Sequence, residues 1–150
     1  MVYMKQWPSD TCRCCGVSSE KDTYHVMLCR NNELRLTRRI LLSNLFKKMK
    51  NMKSHPFIIK MYKNILLGNQ ISIPGNNIIL FSALHNLKQL GTRNTLNGYL
   101  PQSILNLQKT FLLSSTNLHK KWARDFISLF LIFTHWVWKV QCNIIHDKLS

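Results

Sequence analysis

The chain has 150 residues, 45% of them apolar, which is enough for a buried core and too few for a polymerase accompanied by anything else. Lysine and arginine number 21 against 6 acidic residues, and the net charge of +15 implies a polyanionic partner: RNA, DNA or an anionic membrane face. With only 5 glycines and 4 prolines, collagen-like and low-complexity disordered chains are excluded.

The first ten residues, MVYMKQWPSD, hold no continuous apolar core, so no secretory signal is expected. The chain is then expected inside the cell, in nucleus or cytoplasm, where reducing conditions make clustered cysteines point to metal before disulfide. Residues 1–30 form a cysteine-rich head, short of leucine and isoleucine, that reads as loops around a fixed point. In it, Cys12 and Cys15 are separated by two residues, nine residues follow, and His25 and Cys29 stand four apart. Two thiolates at that spacing wrap one ion through a tight knuckle, for which Gly16 supplies conformational freedom. One helical turn puts His25 and Cys29 on a common face. Three thiolates and one imidazole complete a tetrahedral zinc shell with no position open for water, so the zinc expected here is structural. Cys14 can replace Cys12 or stay free. Free thiols in a disordered leader are the plain alternative.

A helix is expected from Asn32, capped by Asn31 or Asn32, with Leu34, Leu41, Leu42, Leu45, Phe46, Met49 and Met52 in one arc. The same stretch carries Arg35, Arg38, Arg39, Lys47, Lys48, Lys50 and Lys53 with no acid among them. Such a run is either a solvated face or a set of phosphate contacts, to which Arg13, Lys21 and Arg30 of the head add. Pro56 opens a second helix over 57–67, with Ser54 or His55 before it and Gly68 as its stop. Residues 69–77 read as a polar linker with a Pro74–Gly75 turn. A third helix is expected over 78–90, ending at Gly91, while 92–100 carries no clear period. A fourth starts at Pro101 and fades by Ser114.

The strongest helical pattern runs from Leu118 to about Asp147, with a stripe of Trp122, Phe126, Leu129, Phe133, Trp136, Val140 and Ile144. Trp122, Trp136 and Trp138 could stack on bases, but at helical spacing on so apolar an element they read as core. Cys142 reads as a small buried apolar residue. The most apolar run, residues 126–138, falls short of the ~20 residues that cross a bilayer. The fold class expected is therefore mainly α. A small zinc-knuckle-like head (1–30) precedes an irregular bundle of four or five helices (31–150): a basic helical pair (31–68), the linker (69–77) and helices from 78 to 150 ending in the long aromatic one.

Two other chemistries find less support in these residues. A Cys–His nucleophilic pair, Cys15 or Cys29 with His25, has no residue that orients the imidazole. His55, His85, His119, His135 and His146 are spread singly, without carboxylates at ligand spacing, and read as solvated or hydrogen-bonded side chains.

The head, Cys12-Arg-Cys-Cys-Gly16, then Glu20, Thr23-Tyr-His25-Val-Met-Leu-Cys29, resembles the zinc-binding segment that follows the reverse transcriptase domain in non-LTR retrotransposon polyproteins. The remainder is similar to the tail of such reading frames of the diatom and microalgal type: Leu90-Gly91 and Asn97-Gly98-Tyr99, then Gln108, Lys121-Trp122-Ala123, and Trp138-Lys139 with His146. The resemblance spans about residues 10–147, and its first motif is the most specific. Two positions depart from it: Gln141-Cys142 stands where Arg-Asn is usual, and Thr92 where Trp follows the first glycine. Both are changes a drifting, non-autonomous copy accumulates. No Asp-Asp pair is present for a two-metal nucleotidyl-transfer site, and an endonuclease fails on the same count, so no catalytic residue is expected. The resemblance implies a downstream fragment starting at its own Met1: a zinc-stabilised binder of template RNA or target DNA through phosphates, with the rest of a polyprotein as a further partner. A helical interaction or scaffold protein, or an unselected relic, is the alternative.

Overall fold

A computed structural model describes residues 31–112 and 118–149. Among the described residues there are five helices and no strand: α1 (Asn32–Asn51), α2 (Pro56–Leu67), α3 (Ile78–Leu96), α4 (Gln102–Leu112) and α5 (Leu118–Leu149). The mainly α architecture is as expected, whereas the zinc-knuckle head lies outside the described residues. Those residues fall into two compact units, one of 44–131 and one that joins 31–43 with 132–149, so α1 and α5 each contribute to both.

In the 31–43 and 132–149 unit, α1 begins at Asn31, whose side-chain Oδ1 accepts the Leu34 N–H at 3.1 Å. Glu33 sits in the first turn of α1, where the helix dipole favours an anion. Leu34 and Leu42 are buried from this end of α1, and Phe133, Val137, Gln141 and Ile144 from α5.

In the 44–131 unit, α1 ends in a Schellman motif. The Lys53 N–H donates to the Lys50 carbonyl at 3.0 Å and the Ser54 N–H to the Met49 carbonyl at 3.2 Å. The residue that reverses the chain there is Lys53, with φ of 61°, a conformation that costs a side-chain-bearing residue about 1 kcal/mol relative to glycine. Next, His55 caps α2: its Nδ1 accepts the Phe57 N–H at 3.0 Å, and Pro56 occupies the first turn, where its missing N–H is no loss. Of the two caps the sequence allowed, His55 is the one used.

The linker is non-helical and its Pro74–Gly75 turn is closed by the Asn77 N–H on the Pro74 carbonyl at 3.3 Å. Asn77 then caps α3 by accepting the Leu80 N–H at 3.1 Å. The third helix was expected to end at Gly91. The backbone does leave helical geometry there, with φ 84° and ψ 164°, but a further turn carries α3 to Leu96. Burial explains the extension: Thr95 and Leu96 are both buried, and the Thr95 hydroxyl donates back to the Gly91 carbonyl at 2.8 Å. A Cβ on Gly98, whose φ is 91°, would lie 3.2 Å from Ile127 Cγ2 and 3.3 Å from Leu131 Cδ2, so glycine lets the connection after α3 run close to α5. The carbonyl of Pro101 accepts the Ile104 and Leu105 N–H groups of α4.

Packing proceeds α2 on α3 and α3 on α4, and the Asn86 side chain donates to the Ser103 hydroxyl at 2.9 Å. The centre of this unit is aromatic. Trp122 stacks on Phe126 at a centroid separation of 4.5 Å, and Tyr62 of α2 meets Phe126 edge-on at 5.0 Å and Phe130 at 5.2 Å.

The buried stripe of α5 corrects the sequence reading. Trp122, Phe126, Phe133 and Ile144 are buried as expected, but Phe130, Val137 and Gln141 complete the row in place of Leu129, Trp136 and Val140. Residues 126–138 are apolar nearly all round, so periodicity cannot choose between neighbouring rows, and the contact with Tyr62 selects Phe130. Trp136, expected in the core, is 47% exposed. Cys142, expected buried, is half-buried, because the adjacent Gln141 takes the core position at 1% exposure.

Candidate nucleic-acid interface

The cations predicted on α1 divide between the two units. In the first, Arg35 and Arg39 are exposed, one turn apart, while Arg38 is half-buried. Arg38 is four residues from both Leu34 and Leu42 and therefore falls on the buried arc of the helix. In the second, Lys47, Lys48, Lys50 and Lys53 are all exposed. Arg13 and Arg30 lie outside the described residues, as do Cys12, Cys15, His25 and Cys29. Among the described residues, no three histidine, cysteine or acidic side chains come together as metal ligands.

Over 44–131 the sequence places 12 lysines and arginines against a single acid, Asp125. Such a surface cannot neutralise itself, and it presents a field to any polyanion in solution. Beyond the α1 set, Lys60, Lys88, Lys109, Lys120, Lys121 and Arg124 are exposed. Two more contacts hold cations against rings: Lys60 Nζ is 4.9 Å from the Phe57 centroid and Lys63 Nζ 5.5 Å from that of Phe46.

Two distant chain segments converge on the turn between α1 and α2. Gln108 of α4, wholly buried, donates from Nε2 to the Lys53 carbonyl at 2.8 Å and accepts the His55 N–H on Oε1 at 2.7 Å. From α5, the Trp122 indole N–H donates to the Ser54 hydroxyl at 3.0 Å. Three consecutive residues are thus held by two side chains distant in sequence. Burial also pushes the His55 imidazole below its ordinary range, which favours the neutral form that its capping bond to Phe57 requires. Its ring lies 5.0 Å from that of Phe111.

A scan of family models, a search of curated proteins and a search of solved structures find no match.

Among the residues the resemblance singled out, Gln108 and Trp122 meet at this one turn. Sequence reading gave Trp122 a core position but no polar role, and gave Gln108 no role in the fold. Lys109 and Lys121, next to them in the chain, were not assigned to the site. The one available signal was the motifs themselves, since Lys109 follows Gln108 and Lys121 opens the Lys-Trp-Ala element. Of the other described histidines, His85 and His135 are exposed, and His119 is half-buried like His55. No helix among the described residues is long and apolar enough to cross a membrane.

Proposed function

We propose that the chain is a non-catalytic, zinc-stabilised nucleic-acid-binding fragment of a retroelement reverse transcriptase polyprotein. The observation that carries this reading is the charge of residues 44–131, 12 cations against one acid, with most of the cations on exposed side chains. In the head, Cys12, Cys15, His25 and Cys29 hold one structural zinc ion and order a stretch with too few apolar residues to offset its chain entropy. Arg13, Arg30 and the α1 cations contact phosphates, and no bond is made or broken.

Affinity for RNA tests the binding part. It should fall as salt rises, with a log–log slope of several units, about 0.7 for each single-strand phosphate contacted. A flat response removes the proposal. Bound zinc tests the head: the wild type should hold about one equivalent per chain and Cys15→Ser or His25→Ala about none. Full zinc in both variants would place the ligands elsewhere.

A second reading, a helical interaction protein, draws on one observation. Ile132 and Trp136, one turn apart on α5, are 50% and 47% exposed, an apolar pair that a partner helix would cover. Concentration-dependent self-association or partner capture that Trp136→Ala abolishes, in a chain with no RNA affinity, would favour it.

A further inference from the structure

We infer that the 44–131 unit binds single-stranded nucleic acid on a surface centred on the α1–α2 turn, where Lys50, Lys53, Lys109 and Lys121 contact phosphates and Phe111 stacks on a base. This rests on the nucleic-acid reading above and gives it a place and a strand preference.

The turn gathers cations that are far apart in sequence. Gln108 and Trp122 bond to residues 53–55, which brings the backbone at Lys109 and Lys121, each one residue from a bonded partner, to the same corner as Lys53. All four lysines are exposed. The only acid of the unit, Asp125, follows Lys121 by one helical turn, so none lies within a turn of the other three on their own helices.

The backbone itself adds a second observation. Lys53 adopts a left-handed conformation at φ 61°, in a position where glycine is the favoured residue. Here a lysine occupies it. Strain held at one exposed residue is the pattern of a site that uses its side chain.

Phe111 supplies the third. It is 41% exposed, lies 5.0 Å from the His55 ring, and stands three residues after Gln108, on the side of α4 that meets the turn. Exposed aromatic faces beside cations are how sequence-tolerant proteins hold unpaired bases, and a base within a duplex cannot reach such a ring.

The test uses the full chain with a fluorescein-labelled single-stranded RNA of about 20 nucleotides and a DNA duplex of matching length, read by anisotropy across a salt series. Lys109→Gln/Lys121→Gln should lower RNA affinity about tenfold and reduce the salt slope by about 1.4, two contacts' worth. The charge-matched Lys63→Gln/Lys88→Gln should lose about twofold. Phe111→Leu should weaken RNA binding about fivefold or more and leave the duplex unaffected. Lys53→Gly should raise the unfolding midpoint while weakening RNA binding, an opposition that impaired folding cannot produce. Equal losses in the two double variants would overturn the placement and leave the nucleic-acid reading standing. An unchanged Phe111→Leu, or one equally impaired on duplex, would overturn the strand preference. A wild type that binds neither probe would overturn both readings together.

Discussion

Replacing Gln108 by leucine keeps most of the side-chain volume and removes both of its hydrogen bonds, leaving the Lys53 carbonyl and the His55 N–H without their partner. The expected loss is about 2–3 kcal/mol, seen as a lower urea midpoint with an unchanged slope. Lys109→Leu, at the exposed neighbouring position, should stay within about 0.5 kcal/mol of the wild type. The contrast explains why Gln108 was hard to read. Gln108 stands between Leu107 and Lys109, one helical turn after the buried Ile104, so position alone allows it a place in the core while its polarity argues for the surface; two main-chain groups from a segment more than fifty residues away supply the donor and the acceptor that let it be buried. Lys53 was equally opaque, because lysine carries no signal for a left-handed backbone.

Helix limits were more legible because they depend on local chemistry. Asn31, Pro56 and Gly68 act at the ends where they were expected, through a side-chain oxygen, a ring and a left-handed backbone respectively, whereas the Asn77 cap was read only as the end of the linker. His55 makes a testable cap. Its folded-state pKa is lowered by burial, so above the ordinary value of 6.5 it is neutral in both states and its contribution is constant. As pH falls below 6.5 the unfolded chain takes up the proton first, and stability drops until the lowered folded-state value is passed. His55→Asn keeps a capping oxygen and does not titrate. Between about pH 7 and pH 5, the wild-type urea midpoint should therefore decline more steeply than that of the variant; parallel declines would contradict this. On α5 the periodicity predicted an element but not its row. Phe126→Ala should cost about 3–5 kcal/mol through loss of its contacts with Trp122, Tyr62 and Phe130, and Trp136→Ala less than about 1 kcal/mol. Denaturation of the two variants distinguishes the observed stripe from the one periodicity alone would choose.

At the scale of the whole chain, composition predicted a strong positive charge and apolar periodicity a mainly helical protein, and the described residues form five helices and no strand. What composition could not supply is convergence: which cations meet depends on long-range hydrogen bonds between polar side chains and backbone, and these have no periodic signature. A net charge of +15 also repels itself. Raising sodium chloride from about 0.05 to 0.3 M should raise the thermal midpoint by a few degrees while it weakens RNA binding, a pairing that circular dichroism and anisotropy on one sample can follow. A midpoint that falls would mean that attractive charge pairs dominate. The fastening of the α1–α2 turn has a consequence for synthesis. Its two tethers reach across 55 and 68 positions of sequence, so a nascent chain that has released only α1 and α2 from the ribosome still lacks both. Translation must deliver α4 and the start of α5 before that corner can close, and chaperones would meet this protein with its basic hinge still open.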